Sequence, residues 1–445
     1  MSIAGAEPAK IEGSWFGQPK GLTVLFLTEM WEKFSFFGMR TLQVYYMTKA
    51  LHFGQEKASM IYGMYAAGAY FTPIIGGAIS DRWLTKRTAV ITGGLIMAVG
   101  HFMMAFEALF YPALVCIAVG NGLFLPNLPS QVRHLYAEDD VRKGSAYNIY
   151  YVGINLGAVL APLVCGTLGE LYGWHYGFAA AGVGMCLGLA VYILGGRYLP
   201  AEPPKQAVKA KTPVAGGLSP ATLLTLLAVG LSVVVYRSAY EQTGNTLALW
   251  TDANVDRTAL GLTIPATWFQ SFNPFFVFLL TPLVVSLWTR QAAKLREPTA
   301  FQKMALGAAG AGIAYAILAA VAFASGGRQT SWLWLAAFYV LFTAAELYIL
   351  PVGLGLFARL APATLGATAV AAWFFASFAG NLASGFIGQW WSHMTPAAFF
   401  LAMAGVSLTS GLLIWLISMV AERLGLREAA HAAAPTVLPE PRPVD

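Results

Sequence analysis

Long apolar runs recur along nearly the whole chain, and they constrain its fold more than any other feature. Each run has about 20 or more residues, which is long enough to cross the roughly 30 Å hydrocarbon layer of a membrane as a helix. Hydrophobic residues make up 57% of the 445 residues and charged residues only 11%, so a soluble globule of this size would lack polar surface. The runs are apolar at both even and odd positions, which argues against a transmembrane β-barrel. We therefore expect an all-α polytopic membrane protein.

The apolar runs and the loop signals between them predict twelve transmembrane helices in two halves of six. The helices are predicted at residues 21–48, 58–80, 88–108, 111–133, 145–167, 174–198, 220–249, 266–289, 300–324, 331–357, 364–389 and 396–422. The segment between the halves concentrates Pro, Gly and Lys and offers no apolar face for packing. The expected domains are an N-terminal cytoplasmic segment (1–20), a six-helix bundle (21–199), a cytoplasmic linker (200–219), a second six-helix bundle (220–423) and a disordered cytoplasmic tail (424–445).

The basic residues predict the orientation in the membrane. The formal charge is +6, but Lys and Arg lie mainly in short connecting loops, so they indicate topology rather than nucleic-acid binding. When successive loops are assigned to alternate sides, 20 of them fall on one side and 4 on the other. We therefore expect the inner membrane, with both termini cytoplasmic. The cysteines Cys116, Cys165 and Cys186 lie inside apolar runs and form no disulfide or metal pattern, and no cofactor or metal is expected.

The two halves contain similar segments at corresponding places in the sequence. PIIGGAISDRWLTKR (73–87) joins the second and third helices, and PLVVSLWTRQAAKLR (282–296) joins the eighth and ninth. Two six-helix halves related along the membrane normal are typical of major facilitator transporters. The first copy also resembles the cytoplasmic-loop signature of that superfamily, Gly-x-x-x-Asp-Arg followed by basic residues, at Gly77, Asp81, Arg82 and Arg87. Simple positive-inside anchoring would explain the charges but not Gly77 and Asp81.

The first helix carries charged residues in TEMWEKFSFFGMR (28–40). At about 100° per residue, Glu29, Lys33, Phe36 and Arg40 form one narrow stripe, and Glu32 lies about 60° from it. Charges facing lipid would cost on the order of a few kcal/mol each, so we predict that the stripe faces a wet interior. The alternative is a self-neutralising ladder of Glu29 and Lys33 that only holds the bundle together.

The second half contributes Arg237 and Glu241, spaced i,i+4 on the seventh helix, and Glu346 in the middle of the tenth. Together with Lys33 and Arg40, they predict a cationic pole and an anionic pole across a cavity between the halves. A small zwitterion could span the two poles through charge-assisted hydrogen bonds. Partly desolvated carboxylates can bind and release protons near neutral pH, and the candidates are Glu29, Glu32, Glu241 and Glu346.

Several segments resemble one known family. EMWEKFSFFGMR (29–40) resembles the first-helix signature E-x-x-E-R-F-x-Y-Y-G-M-R of proton-coupled oligopeptide transporters, a family of the major facilitator superfamily. GNGLFLPNLPSQVRHLY (120–136), YEQTGNTLALWTD (240–252) and ELYILPVGLGLFARLAP (346–362) are similar to other segments of that family. The resemblance covers about residues 20–420. It implies proton-driven import of di- and tripeptides by alternating access, and no enzymatic activity.

The resemblance also implies roles for individual residues. It assigns proton coupling to Glu29, Glu32, Lys33 and Glu241. It places Arg40 near the carboxyl end of the peptide and Glu346 at its amino end. The remaining residues expected at the substrate are Phe36, Phe37, Tyr70, Leu125, Asn155, Arg237, Asn273 and Trp373.

Five of these residues depart from the family pattern. Lys33 replaces an arginine, and its ammonium group lacks the planar, bidentate donor geometry of a guanidinium. Phe36 and Phe37 replace two tyrosines, and Leu125 stands where a lysine is usual. Arg237 stands where an aromatic residue is usual, and one hypothesis is that it supplies the positive charge missing at Leu125.

These departures leave open an uncoupled or differently coupled carrier for another peptide-like or amphipathic solute. A non-transporting receptor is less favoured because no sizeable soluble domain is visible, and the sequence has no nucleophile elbow or metal cluster of an enzyme. We expect a monomer whose partners are a small peptide or peptide-like substrate, protons and the lipid bilayer, without nucleic acid.

Overall fold

Helices dominate the computed structural model of the protein, which describes residues 17–137, 140, 142–202, 219–259, 261–360 and 366–423. The predictions for most of the N-terminal segment, for most of the linker and for the tail lie outside these ranges. So do six of the basic residues used for the topology: Lys10, Lys205, Lys209, Lys211, Arg427 and Arg442.

Within the described ranges, twelve long helical units follow one another, and several consist of two segments. The first six are α1 (Lys20–Tyr45), α2 (Gln55–Arg82), α3 (Lys86–Met103), α4 (Phe110–Phe124 and Asn127–His134), α5 (Lys143–Ala161 and Thr167–Leu171) and α6 (Trp174–Leu194). The second six are α7 (Pro220–Tyr240 and Thr246–Asn254), α8 (Phe272–Ala293), α9 (Ala300–Ala324), α10 (Trp332–Leu347 and Leu350–Leu360), α11 (Gly366–Gly388) and α12 (Pro396–Arg423). Among the described residues, nine helical spans, corresponding to α4–α12, are long and apolar enough to cross a membrane.

Prolines mark several of the breaks within these units. Pro126 lies between the two segments of α4, and Pro162 begins a π-helical turn that separates the segments of α5. Pro351 is the second residue after the break in α10. Proline removes a backbone donor and clashes with the preceding turn, so the helix bends or changes its hydrogen-bond spacing there. Pro282, in contrast, lies inside a continuous α8.

Two side chains accept hydrogen bonds from the backbone N–H groups in the first turn of α3. Thr85 caps the helix by accepting a hydrogen bond from the Thr88 N–H at 3.1 Å. The Glu202 carboxylate accepts from the N–H groups of Lys86 and Arg87 at 2.9 and 2.6 Å. Free N–H groups and the helix dipole favour an anion at this end of a helix. Glu202 therefore binds the chain just after α6 to the first turn of α3.

Each half has its own hydrophobic core. One cluster of buried residues lies entirely between residues 226 and 421, and two further clusters lie between residues 22 and 192. A small fourth cluster joins the halves through Val44, Tyr45, Ala248 and Ala266. Each half thus packs as a bundle around a core of its own.

The two bundles meet along α2 and α11. Gly63 and Gly385 face each other at this crossing, and a β-carbon added at Gly385 would lie 3.2 Å from the Gly63 Cα. Small residues of this kind let two membrane helices approach closely. A second contact joins α5 to the start of α8, where the Ser271 hydroxyl donates to the Val159 carbonyl at 2.8 Å.

Four two-residue strands lie in the loops of the second half. They are β1 (Val255–Asp256), β2 (Thr258–Ala259), β3 (Leu262–Thr263) and β4 (Thr330–Ser331). β1 pairs with β4 in parallel, with Val255 opposite Thr330, and β2 pairs with β3 in an antiparallel hairpin. The β1–β4 pair ties the loop after α7 to the start of α10, and the β2–β3 hairpin lies within that loop.

Candidate functional site

A cavity with about 1010 Å³ of atom-free space, open solvent included, lies between the two bundles. Its walls come from α1, α2 and α5 of the first half and from α7, α8 and α10 of the second. Eight of the predicted site residues line it: Phe37, Arg40, Tyr70, Asn155, Arg237, Glu241, Asn273 and Glu346. Two of these are arginines and two are glutamates, so the cavity brings together charges from both halves.

Glu241 is buried between two arginines that come from different halves. Arg40 on α1 forms an ion pair with Glu241 Oε2 through Nη2, and its Nε donates a hydrogen bond to the Tyr62 hydroxyl at 2.9 Å. Arg237, one turn before Glu241, places Nη2 3.4 Å from Oε1. The Arg237 guanidinium also lies over the Tyr70 ring, 4.6 Å from its centroid. One carboxylate and two cations therefore join the halves at the cavity.

Glu346 on α10 is held by neutral donors. Asn273 Nδ2 donates to Oε2 at 2.6 Å, and the Tyr240 hydroxyl donates to Oε1 at 3.0 Å. None of the ion pairs within the described ranges includes Glu346. An ammonium group that entered the cavity could therefore approach this carboxylate as its counter-ion.

Glu29, Glu32 and Lys33 form a second charged cluster on α1, and they are not among the residues that line the cavity. Lys33 Nζ lies 3.4 Å from Glu29 Oε1 and 2.7 Å from Glu32 Oε2, and the Tyr150 hydroxyl donates to Glu29 Oε2 at 2.5 Å. The two carboxylates are 1% and 0% exposed. Two buried carboxylates thus share one ammonium. The cation of these two carboxylates is Lys33. Arg237, the hypothesised source of the charge missing at Leu125, instead forms its ion pair with Glu241 in the cavity.

Three of the residues expected at the substrate lie outside the lining of the cavity. Phe36 packs edge-to-face on Phe37 at a centroid distance of 5.4 Å. Leu125 is partly buried where the first segment of α4 ends. Trp373 is 8% exposed and packs edge-to-face on Phe357 in the core of the second half.

The residues of the predicted cytoplasmic-loop signature lie at the turn between α2 and α3. Gly77 is on α2, Asp81 and Arg82 are exposed in its last turn, and Arg87 is in the first turn of α3. The Arg87 N–H is one of the two that donate to Glu202. The signature residues therefore lie together at one end of α2. The ion pairs of the cavity lie further back along that helix.

Sequence reasoning missed three tyrosines that hold the ionised side chains, namely Tyr62, Tyr150 and Tyr240. Tyr240 directly precedes Glu241 and lies three residues after Arg237, so helical spacing could have found it. Tyr62 and Tyr150 lie on helices other than those of the groups they bind, and no local pattern points to them.

A set of polar contacts joins the halves on the side opposite the basic loops. The Glu170 carboxylate, at the end of α5, accepts hydrogen bonds from the N–H groups of Ala266 at 3.0 Å and Thr267 at 2.7 Å. These two residues begin the turn that leads into α8. Lys49 Nζ, after α1, lies 2.6 Å from Asp252 at the end of α7. These hydrogen bonds and this ion pair therefore hold the two halves together at this end of the molecule.

The chain is similar to known proteins over most of its length. The family model described as the POT family matches residues 87–215 and 221–402. The chain is 30% identical to the uncharacterized transporter YclF of Bacillus subtilis (strain 168), covering 95% of this chain and 97% of the relative. It is 31% identical to the peptide transporter YePEPT of Yersinia enterocolitica, covering 84% and 88%. A crystal structure of a peptide transporter POT in complex with sulfate matches with a TM-score of 0.85 and 29% identity, covering 92% of this chain and 96% of that one. These matches confirm the predicted fold class, an all-α polytopic membrane protein with the major facilitator fold, and the predicted twelve helices are consistent with them.

Proposed function

The chain belongs to the POT family of membrane transporters, and from that premise we propose that it imports di- and tripeptides across the cytoplasmic membrane by proton symport. The Yersinia relative is itself named a peptide transporter. As a multi-pass membrane transporter, the chain is not an enzyme. The further proposal is that the two halves rock about the central cavity and expose it to one side of the membrane at a time.

The arrangement of charges in the cavity is the observation that supports a peptide as solute. Arg40 and Arg237 supply guanidinium groups that match a carboxylate, and Glu346 supplies a carboxylate held by neutral donors. A peptide carries one ammonium and one carboxylate at its two ends, so it can satisfy both poles at once. Asn155 and Asn273 add amides to the lining that can hydrogen-bond to a peptide group.

Proton symport is supported by the charge count of the buried groups. Glu29 and Glu32 share the ammonium of Lys33, so among the described residues one carboxylate has no counter-ion of its own, and a proton can supply the missing positive charge. Glu241 is the second proposed proton site because it bridges the halves through Arg40. Protonation of Glu241 would remove the charge that holds the Arg40 guanidinium and would free that group for the peptide carboxylate.

Uptake by the purified chain in liposomes tests this proposal. With an inwardly directed proton gradient we expect saturable accumulation of labelled Ala-Ala, and we expect a protonophore to prevent the accumulation. N-acetyl-Ala-Ala, which lacks the ammonium group for Glu346, should compete weakly. If no di- or tripeptide produced saturable uptake, competition or thermal stabilisation, the proposed substrate class would be wrong.

An uncoupled or differently coupled carrier is the second candidate, and one observation favours it. Lys33 already contacts both carboxylates of its cluster, so the cluster can act as a structural ion network without exchanging protons. In that case labelled Ala-Ala would equilibrate across the liposome membrane at the same rate with and without the proton gradient, and it would not accumulate. We further propose that the chain acts as a monomer with both termini in the cytoplasm.

A further inference from the structure

An apolar groove lies between α9 and α12 on the outer face of the second half. It has about 910 Å³ of atom-free space, open surroundings included. Small residues let the two helices approach closely at its floor, where a β-carbon added at Gly411 would lie 3.1 Å from the Ala305 carbonyl oxygen. Leu306 and Leu412, 57% and 54% exposed, form its walls. Among the described residues, the lining of the groove and the lining of the central cavity share no member, so the groove is a separate site that faces lipid.

The groove runs from the membrane surface into one leaflet. Its residues on α9 run from Gln302, in the first turn, to Ala309, and its residues on α12 run back from Trp415 to Leu408. Seven residues of a helix rise about 10 Å. Half of the hydrocarbon layer is about 15 Å thick. The groove therefore covers about two thirds of the leaflet on the side of the basic loops, along the direction in which a phospholipid acyl chain lies.

The polar side chains of the groove lie at its mouth. Gln302 Oε1 accepts a hydrogen bond from the Thr299 N–H at 3.0 Å, and the Nε2 of the same amide donates to no acceptor within the described ranges. The Trp415 indole, 51% exposed, brings a second N–H group to this end. The deeper lining consists of alanine, glycine and leucine, namely Ala305, Leu306, Ala309, Leu408, Gly411 and Leu412. A donor-rich mouth above an apolar channel matches an amphipathic lipid.

The loop that leads into the groove is basic. Lys294 and Arg296 lie just before the first lining residue, and neither forms an ion pair within the described residues. The acidic residue of this loop, Glu297, is paired with Lys303. Between the two cations, Leu295 is 97% exposed and has a φ of 53°, a left-handed conformation that is unusual for leucine. Cations around an exposed leucine are typical of a segment that lies on an anionic membrane surface.

We propose that the groove binds one acyl chain of a phospholipid with a net negative charge, whose headgroup lies at the mouth against Lys294 and Arg296. A zwitterionic lipid would fill the apolar channel but would leave the charge of the loop unbalanced. A second copy of the chain, related by a two-fold axis, would place the same two cations opposite themselves, and like charges in contact are unfavourable. The site is independent of the proposed peptide transport.

Quenching of Trp415 fluorescence by brominated lipids tests the proposal. The chain is placed in phosphatidylcholine vesicles that contain a rising fraction of either phosphatidylglycerol or phosphatidylcholine with brominated acyl chains. The Trp415 signal is the difference between this chain and Trp415→Phe. Because each cation at the surface favours an anionic headgroup, we expect half-maximal quenching by the phosphatidylglycerol at a mole fraction about tenfold lower. Equal quenching by the two lipids would overturn the proposal, and this comparison leaves the basic loop unchanged.

Two double variants assign the preference to the loop. Lys294→Gln combined with Arg296→Gln should bring the ratio between the two lipids to about one. Lys86→Gln combined with Arg133→Gln is the matched control, because it removes two basic side chains of the first half on the same side of the membrane, and it should retain the ratio. An unchanged ratio in the first double variant, or an equal loss in both, would overturn the assignment.

Two single variants assign the chain to the groove. Ala309→Phe fills the inner end and should raise the half-quenching fraction of brominated phosphatidylglycerol to that of brominated phosphatidylcholine. Ile313→Phe is the control, since Ile313 lies one turn further along α9, is 56% exposed and is outside the lining. Full preference in Ala309→Phe would overturn the groove, and thermal unfolding in detergent would confirm that each variant is folded. If neither lipid quenched Trp415 and the chain formed a dimer, the groove would be an interface between copies and the proposal would be wrong.

Discussion

Removing the Glu170 carboxylate should loosen the contacts that join the halves on the side opposite the basic loops, which we propose hold the cavity closed on that side. Glu170 lies on the last segment of α5 and binds the first two N–H groups of the turn before α8, at 3.0 and 2.7 Å. Arg257 adds a longer ion pair, with Nη1 3.7 Å from Glu170 Oε2. Glu170→Ala leaves both N–H groups without this acceptor. The conformation with this side closed would lose stability relative to the conformation with this side open.

The size of the effect follows from the number and setting of these hydrogen bonds. A hydrogen bond to a charged group contributes about 1.5–3 kcal/mol, but water can replace part of it at a side chain that is 14% exposed. A net loss of about 1 kcal/mol per hydrogen bond gives about 2 kcal/mol for the pair. Because each 1.4 kcal/mol is a factor of ten, the ratio of open to closed molecules should rise about 30-fold.

Labelling of a cysteine in the cavity measures this shift. Thr243→Cys places a reporter in the cavity wall, in a chain whose native Cys116, Cys165 and Cys186 have been replaced by alanine. A membrane-impermeant maleimide added on the side opposite the basic loops should label the reporter up to about 30-fold faster when Glu170→Ala is present.

Glu202→Ala is a matched control for this experiment. Its carboxylate also accepts from two helix-terminal N–H groups, but those belong to Lys86 and Arg87 in the first half of the molecule. It should lower the thermal stability without changing the labelling rate. An unchanged rate in Glu170→Ala, or an equal rise in both variants, would refute the idea that the Glu170 contacts hold this side closed.

Three further substitutions separate the proposed roles of the buried side chains. Glu346→Gln removes a carboxylate charge that forms no ion pair within the described residues, so KM for Ala-Ala should rise at least about tenfold in the uptake assay. An unchanged KM would exclude Glu346 as the ammonium site. Lys33→Met leaves two buried carboxylates without a cation and should cost about 3–5 kcal/mol, seen as a lower thermal unfolding temperature that a second substitution, Glu32→Gln, partly restores. Trp373→Ala should lower stability by about 3–5 kcal/mol through the cavity it leaves, while the KM of folded protein stays the same because the indole packs on the core.

The helical architecture could be predicted from the sequence because the length of an apolar run is set by the thickness of the membrane. The predicted runs at 300–324 and 396–422 agree closely with α9 and α12. Internal breaks were harder to place, since proline permits a bend without requiring one. Pro126 and Pro162 lie at interruptions of α4 and α5, while Pro282 lies in an uninterrupted helix. Packing against neighbouring helices decides between these outcomes, and the local sequence does not predict that packing.

The charged stripe of α1 shows what helical periodicity can and cannot predict. Glu29, Lys33 and Arg40 lie on one face, as their spacing requires, but the structure divides them between two environments. Arg40 reaches the cavity, whereas Glu29 and Lys33 lie in a buried cluster. Angular position describes only the rotation around a helix, and eleven residues also rise about 16 Å along it. The two ends of the stripe therefore meet different neighbours, and only those neighbours decide which charge meets solvent.

This division along α1 gives the proposed symport a mechanical basis. The buried cluster at Glu29 and Lys33 is bound to α5 through the Tyr150 hydroxyl, and Arg40 is bound to α7 of the other half through Glu241. A change of charge at the cluster can therefore shift α1 within its own half, and a shift of α1 strains the ion pair that crosses between the halves. We expect rocking of the halves to require release of the pair between Arg40 and Glu241, because a buried ion pair that separates without a replacement partner costs several kcal/mol, about 3–5 by mutational measurement. A peptide carboxylate at Arg40 and a proton at Glu241 are the replacements that remove this cost, so solute and proton would both be needed before the halves can move.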